Sequence, residues 1–151
     1  FFMTNHDIFI RRCYELASQA VANGNHPFGA LLVLNGKIIL ESENTVNTAQ
    51  DPTGHAELNL VRLAGKQFTS EELADCILYT STEPCVMCSG AIYWAGIGHV
   101  VYGTSESKLA EFAGDDFLTP CRVTFAKGKR PITVEGPILE EEGAPLHANF
   151  W

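Results

Sequence analysis

The motif His55-Ala56-Glu57, followed by Pro84-Cys85-x-x-Cys88, constrains the fold more than any other feature of this chain. One imidazole and two thiolates from these segments are good zinc ligands, and they must meet at a single tetrahedral site. Three protein ligands leave one position open for water, which is typical of a catalytic zinc rather than a structural one. Glu57 is not needed as a ligand and is free to move protons. The sequence therefore predicts a catalytic metal centre.

Turn signals and hydrophobic periodicity divide the chain into helices and strands. Asn35-Gly36 predicts a two-residue hairpin turn, and Pro84 marks a helix start, where a missing amide proton costs nothing. The predicted strands cover residues 29–34, 37–42, 76–81, 98–104 and 132–135, and the predicted helices cover 7–23, 55–64, 106–113, a segment opened by Pro84 and a closing segment from 139. A hairpin followed by strands alternating with helices predicts an α/β sandwich with a mixed sheet, in which the metal ligands lie at two helix starts.

Composition bounds the partners and the compartment. At 151 residues with 46% hydrophobic content, we expect one domain over residues 1–151. Ten Lys and Arg stand against eighteen Asp and Glu, a net charge of −8 that disfavours a nucleic-acid partner and favours a small-molecule substrate. Five cysteines show no disulfide spacing, and we find no signal peptide or membrane span. We therefore expect a cytoplasmic protein.

The other cysteines are predicted to be structural. Cys13 falls on the apolar face of the first helix, Cys76 begins an apolar strand, and Cys121 lies in a segment predicted to be a loop. Taken alone, Cys85-x-x-Cys88 would also suit a thioredoxin-like dithiol. The histidine and glutamate of the upstream motif would then have no role, so the metal interpretation is the better one.

The chain resembles the cytidine deaminase-like superfamily over nearly its whole length, since H-x-E followed by P-C-x-x-C is the signature of zinc-dependent base deaminases. Within that superfamily, the segments at residues 51–57, 75–85 and 90–95 are most similar to bacterial guanine deaminases. The resemblance implies a three-layer α/β/α sandwich with a mixed five-stranded sheet, a bound Zn²⁺ and a homodimer or tetramer, of which we expect the homodimer. It also implies that Glu57 carries protons during hydrolytic release of ammonia.

The resemblance further implies a set of substrate contacts. Asn44 matches the asparagine that reads a polar edge of the base, and Phe28 matches an aromatic residue that stacks on it. Trp94 matches a tryptophan that lines the base pocket, and Ala56 lies between the ligand and the proton carrier. Asp116 matches a carboxylate that accepts hydrogen bonds from the purine N–H groups. The alternatives are a strand-end role for Asn44, core positions for Phe28 and Trp94, and a solvated loop for Asp116.

The C-terminal part departs from this pattern. Residues 131–139 look more like the end of tRNA adenosine deaminases, and the terminal Phe150-Trp151 could cover a pocket or pack in a core or interface, of which packing is favoured. We expect deamination of a free guanine-like base, meaning guanine to xanthine plus ammonia, or the related isocytosine or guanosine. The alternatives are a tRNA adenosine deaminase, a cytosine deaminase, and a zinc-stabilised scaffold subunit without activity.

Overall fold

The computed structural model describes residues 5–151. The strands are β1 (Gly29–Leu34), β2 (Lys37–Glu43), β3 (Ile77–Thr82), β4 (His99–Thr104) and β5 (Thr133–Glu135). The helices are α1 (His6–Ala22), α2 (Ala56–Gln67), α3 (Ser70–Leu73), α4 (Val86–Ala95), α5 (Glu106–Ala113), α6 (Cys121–Phe125) and α7 (Glu140–Ala148). None of the helices in this described part of the chain is both long and apolar enough to cross a membrane.

The five strands form one mixed sheet in the order β2-β1-β3-β4-β5. β1 pairs antiparallel with both β2 and β3, while β3, β4 and β5 are parallel. The hairpin turn between β1 and β2 places Asn35 and Gly36 at positive φ angles of 51° and 79°, as the Asn-Gly pair predicts. The predicted mixed five-stranded sheet is confirmed.

Each face of the sheet carries its own hydrophobic core, which makes the sandwich three layers thick. On one face, α2, α4 and α6 contribute Leu60, Ile92 and Phe125 to a cluster with inward residues of the sheet. On the other face, α1 packs Ile10 and Leu16 against the opposite side of the strands, and residues near α7 close this second cluster. The alternation of strand side chains between the two clusters is what brings helices to both faces.

Two short helices were not predicted from the sequence. α3 is stabilised by a capping box in which the Thr69 and Glu72 side chains each bond the other's backbone amide. α6 contains Cys121, so the loop prediction for that residue is wrong; its thiol is buried and its backbone amide donates to Glu83 at 2.8 Å. Four- and five-residue helices carry too little periodicity to be recognised, and α6 has no side-chain cap.

Candidate functional site

His55, Cys85 and Cys88 lie together where two helices begin. His55 is the N-cap of α2 and Cys85 is the N-cap of α4, so the N-termini of the two helices lie close together. The His55 Nδ1 atom lies 3.5 Å from the Cys85 Sγ and 3.6 Å from the Cys88 Sγ. All three ligand atoms lie within 4.8 Å of one another. Among residues 5–151, this is the one group of three or more metal-ligating side chains at such distances.

The three side chains fit a zinc ion. Typical Zn–S and Zn–N bonds at a tetrahedral centre place sulfur and nitrogen roughly 3.5 Å apart, which matches both separations. Hydrogen bonding from Cys88 and from His55 lowers the pKa of the Cys85 thiol, which favours its thiolate form. A neutral imidazole nitrogen and thiolate sulfur are the donors that Zn²⁺ prefers. His55, Cys85 and Cys88 would hold the ion.

Glu57 lies in the first turn of α2, two residues after the histidine. Its side chain is almost buried, with 6% of the residue exposed, and it lines the same cavity as His55 and Cys85. Burial, reinforced by the negative charge of Cys85, raises the pKa of Glu57 to about 7. A carboxyl group with a pKa near neutrality both accepts and returns protons efficiently, which suits a general acid–base group.

The metal ligands border a cavity of about 320 Å³. Its lining combines apolar side chains with a histidine, a threonine and four carboxyl groups, so a small ligand would meet both apolar surface and convergent polar groups. The lining residues are Phe28, Pro52, His55, Glu57, Thr82, Glu83, Cys85, Met87, Glu106, Leu109, Asp116, Phe117 and Leu118. We call the part formed by Phe28, Thr82, Glu106, Leu109 and Asp116 the side wall.

The structure brings some of the predicted substrate contacts together and separates others. Phe28 and Asp116 both line the cavity, although Asp116 is exposed. Asn44 is buried, and its side-chain oxygen accepts hydrogen bonds from the amides of His26 at 3.3 Å and Val46 at 3.0 Å. Its side-chain nitrogen donates to no residue within 5–151. The Asn44 amide is therefore held in one orientation by the backbone.

Asn44, Ala56 and Trp94 lie outside the cavity lining. Ala56 is fully buried in the core beneath α2. Trp94 is 85% exposed on the outer side of α4 and contacts Tyr93 edge to face, with ring centroids 5.4 Å apart. A single chain therefore does not place Trp94 in the pocket that it was predicted to line. In a single chain, the large apolar side chain of Trp94 is exposed to solvent.

Two carboxylates of the cavity were missed by sequence reasoning. Both oxygens of Glu83 accept backbone amides, from Glu106 at 3.0 Å and from Cys121 at 2.8 Å. Glu106 is itself 6% exposed, and burial together with the Glu83 charge raises its pKa to about 7. Glu83 directly precedes Pro84-Cys85, and this position is the one signal that could have marked it. Nothing in the local sequence distinguishes Glu106 from an ordinary first-turn glutamate.

The C-terminal aromatic residues pack beside the cavity against their own chain. Trp151 donates its indole N–H to His147 Nδ1 at 3.1 Å, and His147 Nε2 lies 3.3 Å from the Thr82 hydroxyl. The His147 ring is 5.4 Å from that of Phe28, centroid to centroid, and Phe150 contacts His26. Trp151 nevertheless stays 47% exposed, so these aromatics rest against Phe28 and His26 without being enclosed in a core. His147, near the C-terminus, thus contacts both Phe28 and Thr82, which line the cavity.

A mixed sheet between two helical layers, with three zinc ligands at two helix starts and a glutamate beside them, defines a zinc-dependent hydrolytic deaminase. Residues 3–104 match the family described as the cytidine and deoxycytidylate deaminase zinc-binding region, and the chain belongs to that family. It is a nucleobase deaminase. The resemblance inferred from the motifs is confirmed, and so are the fold class and the zinc cofactor.

Similar proteins include members with different substrates. The chain is 41% identical to a guanine deaminase of Bacillus subtilis, covering 95% of this chain and 93% of that one. It is 38% identical to a probable cytosine deaminase of Schizosaccharomyces pombe (95% and 90%), and 32% identical to a tRNA-specific adenosine deaminase of Buchnera aphidicola (98% and 95%). Among solved structures, guanine deaminase from Nitrosomonas europaea superposes with a TM-score of 0.81 at 26% identity, over 97% of this chain and 84% of that one.

Proposed function

We propose that this chain deaminates a free guanine-like base, converting guanine to xanthine and ammonia or acting on isocytosine or guanosine. The observation that carries the proposal is the cavity in which Glu57, the aromatic Phe28 and carboxylates of the side wall meet beside the metal ligands. The similarity to guanine deaminases supports the same choice of base. The net charge of −8 supports a free base over a polyanionic substrate.

The reaction replaces an amino group with an oxygen atom at one ring carbon. Zinc, when bound, supplies Lewis-acid chemistry that lowers the pKa of water towards neutrality. Glu57 takes the proton of the attacking water and passes it to the adjacent ring nitrogen. A second proton then goes through Glu57 to the leaving amino group, the carbon–nitrogen bond breaks, and a carbonyl and ammonia result. Because the Glu57 side chain is nearly buried, bulk water does not compete for these protons.

The side chains around this centre would hold the base. Phe28 stacks on its face, the Asn44 amide reads a polar edge, and Asp116 contributes at the cavity mouth. Asn44 is oriented for this role because two backbone amides fix its oxygen and leave its N–H groups to donate. Ala56 would shape the pocket floor through its backbone, and Trp94 would act from a surface covered by a second copy of the chain.

The experiment that tests the proposal is ammonia release by the zinc-loaded protein on guanine, isocytosine, guanosine, cytosine, adenine and an adenosine-bearing tRNA stem-loop. We expect turnover confined to the guanine-like compounds. Turnover of cytosine alone would favour the activity named for the fission-yeast relative, and turnover of the RNA alone would favour the tRNA deaminase alternative. Zinc-loaded protein that is silent on every substrate would favour the scaffold alternative.

We further propose a cytoplasmic homodimer. Trp94 on α4 is 85% exposed and Phe117 is 77% exposed, and a second copy of the chain would remove these large aromatic side chains from water. All five cysteines are free, which suits a reducing compartment. Light scattering on the purified protein should give twice the 16.5 kDa chain mass, and Trp94→Ser should shift it towards a single chain.

A further inference from the structure

Glu106 has a free carboxylate oxygen inside the cavity. It is the first residue of α5, and its Oε2 atom accepts the Thr119 amide at 3.1 Å. Its Oε1 atom has no hydrogen-bond partner in residues 5–151. No side-chain oxygen in that range is both sealed from solvent and unpaired, so Oε1 retains accessible surface. Since Glu106 lines the cavity and is 6% exposed, that oxygen opens into the cavity.

The neighbouring carboxylates, Glu83 and Asp116, are not equivalent to Glu106. Each oxygen of Glu83 already accepts a backbone amide, from Glu106 or Cys121, so a ligand would have to share an occupied oxygen. Asp116 is exposed, and a hydrogen bond to it competes with water. A hydrogen bond to a buried, charged acceptor discriminates far more strongly between ligands, because a ligand without the donor leaves the charge unpaired.

We propose that Glu106, more than Asp116, determines which base is accepted, by receiving hydrogen bonds from the ring and amino N–H groups of a guanine-like base. This inference rests on the proposed function, since it concerns the substrate of the same site. Guanine and isocytosine present adjacent N–H donors on their amino-oxo edge, which a carboxylate matches. Cytosine and adenine have no ring N–H next to the amino group, only a ring nitrogen acceptor, which a carboxylate repels.

The environment of Glu106 supports this role. Glu83 anchors the amide of Glu106 and so fixes the start of α5, while the Thr119 amide fixes one oxygen of the side chain. The carboxylate is therefore preorganised and needs no rearrangement to receive a ligand. Burial and the Glu83 charge raise the pKa of Glu106 to about 7, and donation from two N–H groups of a base would favour its ionised form.

The test compares Glu106→Gln with Asp116→Asn, and uses Asp115→Asn as the matched control because Asp115 is exposed on the same loop and does not line the cavity. Glutamine keeps one oxygen for the Thr119 amide but presents an NH₂ group to the base. We expect kcat/KM for guanine and isocytosine to fall roughly 10- to 150-fold in Glu106→Gln. We expect a smaller loss in Asp116→Asn, and cytosine and adenine turnover that is unchanged or increased in Glu106→Gln.

A binding measurement separates failure of this inference from failure of the proposed function. Isocytosine is titrated into zinc-loaded Glu57→Ala protein with and without Glu106→Gln, with zinc content and melting temperature matched. At least tenfold weaker binding in the double variant supports the inference, whatever the wild-type protein turns over. Equal binding, no binding to either protein, an equal loss of kcat/KM for every base, or a larger loss of base selectivity in Asp116→Asn would overturn it. The proposed function itself fails if the wild-type protein turns over no guanine-like base.

Discussion

The metal centre and the side wall border the same cavity, but their residues are positioned in different ways. His55, Cys85 and Glu57 sit at or next to two helix N-caps and come from two short motifs. The side wall gathers Phe28, Thr82 and Glu106 from three separate parts of the chain, supported by partners up to 65 residues away in sequence. The residues proposed for the chemistry are thus positioned by local sequence, whereas those proposed for substrate choice are positioned by tertiary packing. This difference predicts abrupt losses at the metal centre and graded ones at the side wall.

The largest effect is expected from Cys88→Ala. The variant removes one of three ligands from a buried site, so we expect loss of bound zinc and of all measurable ammonia release. Zinc per chain is measured by elemental analysis together with turnover. Cys76→Ala is the matched control, because this thiol is buried in the core and hydrogen-bonds the Glu72 carbonyl, away from the metal ligands, so the variant should keep its zinc. A Cys88→Ala protein with one zinc per chain and normal turnover would contradict the assignment.

Glu57→Gln should lower kcat by about 10²- to 10⁴-fold while zinc stays bound. Glutamine has the same shape as the carboxyl group but cannot accept and return a proton. Glu71→Gln, on the exposed surface of α3, controls for the loss of a negative charge. This result would show that Glu57 is needed for the reaction but not for zinc binding. Full turnover in zinc-loaded Glu57→Gln would remove Glu57 from the mechanism.

The sequence was enough to predict where the residues of the metal centre lie, but not enough to predict every residue of the side wall. The helix-start positions of the three proposed ligands follow from H-x-E and P-C-x-x-C, because both motifs are local. Glu106 was missed because its buried state depends on Glu83, which is 23 residues away. Trp94 lies on an apolar helix, and periodicity could not show that its side of α4 faces solvent in a single chain. Strand bounds were predicted within one or two residues, since turns mark them.

Glu83→Gln should weaken the side wall without removing the metal. One of the two backbone amides held by Glu83 would face an NH₂ group, so we expect the free energy of unfolding to fall by about 2–3 kcal/mol. Denaturant titration measures this change, and Glu141→Gln on the exposed side of α7 is the control. Selectivity for guanine over cytosine should fall in parallel, because the start of α5 loses its anchor. Unchanged stability would show that the side wall does not depend on the tertiary hydrogen bonds of Glu83, and so would contradict the difference drawn between it and the metal centre.

The smallest effect concerns the C-terminal support of the side wall and depends on pH. Burial lowers the pKa of His147 to about 4 from 6.5, so the unfolded chain takes up a proton at higher pH than the folded chain does. The stability contributed by neutral His147 is therefore complete above pH 6.5 and is lost as the pH falls towards 4. His147→Gln keeps an acceptor for Trp151 and a donor for Thr82 but does not titrate in this range. Between pH 7.5 and 5, the wild-type protein should lose about 1–2 kcal/mol more than this variant in denaturant titrations, since every other titrating group is common to both. Parallel pH profiles for the two proteins would mean that the tail is held by the aromatic contacts alone.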